Sequence, residues 1–296
     1  LDQRVPSSMH EGGRQDGKED ARGHARTGGG WTGRQRVSRR NRLAIRPIAV
    51  QATRRAPAEL PAPIAWPTRA EAATLTRHTR HTASSAGSSC YNCHMPRTVY
   101  GLLTAIRSHQ IDSPSVATSL DTGRPNACNL CHLDRSLGWA ARELETGWGV
   151  ARPALTAEQE TVSGALLWLL TGDAGQRALI AWHLGWRPAQ EVSGTGWLAP
   201  YLGHLLADPY AAVRYVAHHA LTTLPGWDTL PYDYVAPQAE LLAARDRVIQ
   251  RWLDDHPRPP DRSGPAVLTD SQGDLLLAEI ARLAARRDDT PVSLEE

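Results

Sequence analysis

The sequence predicts a mainly α chain in three parts: a leader that cannot build a core, a loop-rich cysteine segment, and a helical tail with a repeating rhythm. Three observations carry this. All four cysteines fall in two pentapeptides, Cys90-Tyr91-Asn92-Cys93-His94 and Cys128-Asn129-Leu130-Cys131-His132. Charge is divided: residues 1–85 hold 16 Lys+Arg against 7 Asp+Glu, and the remainder holds 17 against 24. Beyond residue 155, apolar positions recur at helical spacing between short turns that carry Gly, Asp or Pro.

Residues 1–74 are expected to be a disordered or non-native leader. Their first 70 residues are rich in Gly, Arg and Ala and hold neither Tyr nor Phe; Gly28-Gly29-Gly30 and the prolines at 57, 61, 63 and 67 interrupt any regular element. Such a composition buries too little surface to offset the entropy of ordering. Its arginines are not organised into a helical stripe, so no nucleic-acid partner is expected. No run approaches the roughly 18 apolar residues of a membrane span, and the basic, apolar, small-residue order of a secretory signal is not visible in this chain.

Residues 75–152 form the second part. C-x-x-C-H is the attachment signature of c-type haem, in which two thiols add to the vinyl groups on one porphyrin edge and the adjoining imidazole becomes the proximal iron ligand. Two such motifs that use every cysteine predict two covalently attached haem c groups: Cys90, Cys93, Cys128 and Cys131 as thioethers, His94 and His132 as proximal ligands. Of the two methionines, Met9 lies in the leader and Met95 adjoins a proximal His, so bis-histidine ligation is expected. His109, between the motifs, is the first candidate distal ligand; His81 and His78 follow. His183, His204, His218 and His219 lie among the apolar residues of the tail and are read as core or surface groups. Arg97, Arg107, Arg124 and Arg135 flank the motifs and are candidates for pairing with haem propionates. Around the motifs, 99–106 reads as a short apolar stretch and 133–148 as an amphipathic helix.

Residues 153–296 are expected to be three helix pairs: 158–170 with 176–184, 197–206 with 210–224, and 238–253 with 272–286. The wording Leu205-Leu206-Ala207-Asp208-Pro209, then Val213-Arg214, then Ala217 and Ala220-Leu221 resembles a HEAT repeat. In that repeat an Asp at the inter-helix turn and an Arg one turn into the second helix bond to neighbouring repeats. The resemblance implies an α-helical HEAT-like solenoid, which buries its apolar faces only by stacking.

From His78 to Trp148 the chain is similar to the C-terminal haem portion of bacterial multihaem cytochromes c. The residues that carry this are Cys90-x-x-Cys93-His94-Met95-Pro96, Arg107-x-His109 and Pro125-Asn126-Ala127-Cys128-x-x-Cys131-His132-Leu133-Asp134. The resemblance implies electron transfer through two low-spin haems, redox partner proteins docking on the helical tail, and a periplasmic or extracytoplasmic location. It also implies further haem sites upstream, which this chain does not contain. Two other functions are weighed against it: a haem reductase with one open iron site acting on a small nitrogen or sulfur oxyanion, and a helical interaction scaffold whose cysteine pairs hold structural zinc.

Overall fold

A computed structural model of the protein describes residues 69–255 and 262–291, and these are mainly helical. All described residues belong to one compact unit; the expected leader, up to residue 68, lies outside them.

Helix α1 (Arg69–Thr79) begins inside the segment assigned to the leader. Its alanines favour helix, Glu71 lies in the first turn, and Arg77 and His78 lie in the last, each sign matching the helix dipole. Arg80 stops it in the left-handed region at φ 61°. A 3-10 turn at Ala86–Ser88 leads into α2 (Cys90–His94), which is the first cysteine motif itself. Pro96, which has no backbone N–H to give, prevents its extension.

The apolar stretch 99–106 is a β-hairpin: β1 (Val99–Gly101) and β2 (Thr104–Ile106) pair antiparallel, Val99 opposite Ile106 and Gly101 opposite Thr104. The two residues of its turn, Leu102 and Leu103, have φ of 50° and 59°. Turns of this kind favour Asn-Gly; each L-residue with a Cβ in the left-handed region costs about 1–2 kcal/mol. Helix α3 (Val116–Thr122) is capped by the Ser115 hydroxyl, which accepts from the Thr118 amide, and is closed by Gly123 at φ 71°.

Helix α4 (Leu137–Trp148) is four residues shorter than expected, because Ser136 caps it by accepting from the Trp139 amide. The helix expected over 158–170 is two helices, α5 (Ala157–Thr161) and α6 (Gly164–Thr171). Ser163 breaks it: its hydroxyl accepts from the Leu166 amide and donates to the Leu133 carbonyl. Helix α7 (Ala174–Leu184) opens with an Asp173/Gln176 capping box. Then come α8 (Arg187–Ser193), not expected from the sequence, α9 (Ala199–Leu205), α10 (Ala211–Leu221), α11 (Gln238–Asp255) and α12 (Leu277–Ala284).

Helix α7 packs on α6 and α10, α9 on α10 and α11, and α12 on α6; the hairpin lies against α7. One apolar core runs through Val116, Leu130, Leu133 and Leu137 into Leu166, Ile180, Trp197, Leu202, Val248 and Leu283. The division expected at 152/153 is therefore not a boundary in packing, because Leu133 and Leu137 share a core with the tail. The turns between helices are joined by a buried ion pair. Arg177 and Asp208, both fully buried, pair at 2.7 Å and 3.2 Å. Arg177 also donates to the Gly172 and Asp288 carbonyls, each at 2.8 Å, so no proton of this cation is left to desolvation alone. Arg214 donates to the Asp208 and Tyr234 carbonyls, each at 2.6 Å. Among the described residues no helix is long and apolar enough to cross a membrane.

Candidate cofactor-binding site

The two cysteine motifs meet beneath the end of α1. His78 lies one residue before its end, and the left-handed Arg80 turns the chain so that His81 follows three residues later. Arg80 is held there by a bond from its guanidinium to the Gly147 carbonyl at 3.0 Å, over the Trp148 ring. The Trp148 indole N–H donates to the His78 carbonyl at 2.8 Å.

This brings the histidines together in two pairs. The rings of His78 and His94 have centres 6.1 Å apart with planes 15° from parallel. Those of His81 and His132 are also 6.1 Å apart, at 38°. Two imidazoles sharing one metal, with bonds of about 2.0 Å and ring centres about 1.1 Å behind the bonded nitrogen, have centres about 6.2 Å apart. The distance alone does not require a metal, since the Trp182 and Trp186 rings are in contact at 6.0 Å; what each pair offers is two imidazoles at the separation that one shared metal ion would need.

The second ring nitrogens agree. The Nδ1 of His94 is 2.7 Å from the Asp112 carbonyl oxygen, and that of His81 is 2.6 Å from the Thr79 carbonyl oxygen. A carbonyl only accepts, so each Nδ1 carries the proton and each Nε2 keeps a lone pair for a metal. Asp112 is itself fixed: its amide donates to the His94 carbonyl at 3.0 Å and its carboxylate binds Arg124 at 2.6 Å. Gly87 makes room for the other ring, since a Cβ there would lie 2.3 Å from the His81 Cδ2.

A mainly apolar cavity of about 300 Å³ is lined by His78, His81, His94, Cys90, Cys93 and Cys128, with Trp148 and Leu144 behind them. That volume is at the small end for ligand sites. The cysteines are free thiols. Burial pushes Cys128 and Cys131 up to about 12, with Cys93 nearby adding to both. Burial likewise lowers His132 to about 4, with the neighbouring His81 contributing. The surroundings of the second motif thus favour uncharged sulfur and neutral imidazole, the forms found in a thioether and a metal-ligating His. Among the described residues no three His, Cys, Asp or Glu side chains converge on one metal-sized point, so the four cysteines do not form the four-thiolate arrangement that structural zinc takes.

His109 is exposed and pairs with no other histidine among the described residues. The first candidate for a distal ligand thus stands apart from both motifs, while the second and third stand opposite them. Met95 is half-buried beside His94, and Met9 lies outside the described residues. In the tail, His183 is buried and bonded through Nδ1 to the Leu179 carbonyl at 2.7 Å. His218 is half-buried and His219 exposed.

The arginines serve the protein's own frame. Arg107 donates to the Tyr91 and Met95 carbonyls and to the Asn92 side chain, binding the first motif together. Arg97 donates to the Ala105 carbonyl and lies over Trp182. Arg124 holds Asp112, and Arg135 faces Asp134 at 3.4 Å. Sequence reasoning missed Gly87 and Asp112. The only local signal for Gly87 was a small residue in a short loop before the motif. No known family model, curated protein or solved structure matches this chain.

Proposed function

We propose that this chain transfers electrons through two covalently attached haem c groups, as the C-terminal part of a multihaem cytochrome c. Cys90 and Cys93 hold the first, Cys128 and Cys131 the second. His94 with His78, and His132 with His81, would ligate the two irons. When bound, haem c supplies a one-electron ferric/ferrous couple. The observation that carries this reading is the pair of 6.1 Å His–His separations, each opposite a C-x-x-C-H motif.

The chain's own residues do three things toward that couple. The Asp112 and Thr79 carbonyls accept from Nδ1 of one imidazole of each pair and so fix that ring's orientation. Leu144 and Trp148 keep water from the faces they cover. Trp139 packs on the His132 ring at 4.7 Å. With two histidines available to each iron, no coordination position would be kept for a substrate, which favours electron transfer over an oxyanion reductase. The helical part is read as a HEAT-like solenoid on the strength of Asp208 and Arg214 at the α9–α10 turn and the Arg177–Asp208 bond back to α7. Attachment of haem c takes place on exported chains, so the protein is assigned to the periplasm or outer surface.

The test is expression with the haem-attachment machinery, followed by acid-acetone extraction and spectroscopy of the polypeptide. Haem retained at two per chain, low-spin in both oxidation states, is the expected result. His78→Ala and His81→Ala should each turn one haem high-spin, whereas His109→Ala should change neither. A colourless polypeptide would end the haem reading. Loss of one low-spin haem in His109→Ala would restore that residue as a ligand.

A further inference from the structure

We propose that the β-hairpin tip beside the first cysteine motif is the docking surface for a one-electron partner protein that presents an apolar spot within an acidic rim. The proposal rests on the electron-transfer reading above.

Exposed apolar residues carry the first part. Eleven large apolar side chains are exposed among the described residues, and five of them lie between positions 91 and 111: Tyr91, Val99, Leu102, Ile106 and Ile111. Four of them, Tyr91, Val99, Leu102 and Ile106, are linked through the hairpin and Arg107. Val99 and Ile106 are cross-strand partners, Leu102 is the turn between them, and Arg107, next to Ile106, lies over the Tyr91 ring. Leu102 is 78% exposed, although it occupies a left-handed position that Asn or Gly would fill without strain. Folding gains nothing from an exposed, strained leucine, so its place is explained by something outside the described fold.

Charge gives the chemistry of the partner. Between Glu71 and Asp112 the chain has no carboxylate and four arginines, 77, 80, 97 and 107. Asp112 is neutralised by Arg124. Three of the four are fixed by carbonyl bonds: Arg80 to Gly147, Arg97 to Ala105, Arg107 to Tyr91 and Met95. Rigid guanidinium groups suit the set carboxylates of a folded acidic protein better than a fluid lipid surface. Position gives the purpose: the patch includes Tyr91, which adjoins the exposed Cys90, so a partner seated there lies beside the first haem.

The experiment uses the haem-loaded chain and fully reduced flavodoxin, an acidic one-electron donor. Its anionic flavin hydroquinone loses one electron to a ferric iron and becomes the neutral semiquinone; no bond forms or breaks at the haem. Stopped-flow reduction should slow steeply with salt. Replacing Leu102→Asn together with Leu103→Gly should slow it about tenfold at low salt, leave reduction by dithionite unchanged, and raise the melting temperature. Arg77→Glu, an exposed site, should slow flavodoxin about threefold, with only the small drop in melting point that a reversed charge in the last turn of a helix brings. The proposal is overturned if the hairpin variant reduces at the wild-type rate, or if it melts lower. It is also overturned if vesicles of phosphatidylglycerol and phosphatidylcholine in equal parts bind the wild type and not the hairpin variant, which would make the surface a lipid site. A polypeptide without covalent haem fails the earlier reading instead and is recognised before any of these measurements.

Discussion

Gly87→Ala separates a ligand at His81 from a histidine that merely fills space. A Cβ at residue 87 would sit 2.3, 2.5 and 2.8 Å from the His81 Cδ2, Cγ and Nε2. Ordinary carbon contacts begin near about 3.5 Å, so the ring must withdraw by about 1 Å. It cannot withdraw freely, because Nδ1 is tied to the Thr79 carbonyl at 2.6 Å. A metal–imidazole bond of about 2.0 Å does not survive a 1 Å displacement, so the variant loses one axial ligand at the second haem. Without haem the cost is overpacking alone, about 1–3 kcal/mol. Ferric EPR and the high-spin charge-transfer band should show one high-spin and one low-spin haem, with the high-spin signal abolished by added imidazole. His81→Ala should give the same spectrum, and His78→Ala should affect the other haem. If Gly87→Ala stays fully low-spin while the apoprotein loses stability, the ring does move but is no ligand, and the pairing of His81 with His132 is wrong.

Two further outcomes follow from the tail. Arg177→Met should destabilise the protein by about 3–5 kcal/mol in urea titrations, since it leaves the buried Asp208 carboxylate without its partner. Joint replacement with Asp208→Leu should recover much of that loss; if the double variant is no better than the single, the ion pair is not what Arg177 contributes. Acid should weaken the haem-free fold through His132, His183 and His204, each lowered to about 4 chiefly by burial. Unfolding restores their usual affinity near 6.5, so the unfolded chain binds more protons between those values. Stability is therefore complete above pH 6.5 and falls as pH drops toward 4, by roughly 2 kcal/mol per histidine at pH 5. His183→Gln should remove about a third of this slope between pH 7 and 5, measured by chemical denaturation of the haem-free chain; an unchanged slope would refute the assignment.

The cysteines and histidines proposed to hold haem were legible because that chemistry demands a fixed spacing. Distal ligands obey no such rule. His109 lies near the first motif in sequence, but Arg107 is spent on the Tyr91 and Met95 carbonyls, and His109 is left at the surface. His78 and His81 face different partners because Arg80 turns left-handed between them, a reversal that a non-glycine residue does not advertise. The same holds for the helices. Asp173 and Gln176 announce the start of α7 by composition, whereas the break at Ser163 depends on the Leu133 carbonyl thirty residues earlier. Leu102-Leu103 reads as an apolar run, and only the pairing of its neighbours makes it a turn. Local rules were readable wherever the partner was local.

The second cysteine motif is stitched to the tail by two hydroxyl groups. Ser193 of α8 donates to the Cys131 carbonyl and accepts from the Leu133 amide, both at 2.9 Å, while Ser163 reaches the Leu133 carbonyl. The first motif, by contrast, takes its backbone support from residues 86–112. The chain is therefore not modular at the point where its sequence changes character. A fragment ending at 152 would keep the scaffold of one site and lose that of the other. A transplanted dihaem cassette would have to bring α6 and α8 with it, and evolution would be able to lengthen the protein more freely ahead of the first site than behind the second.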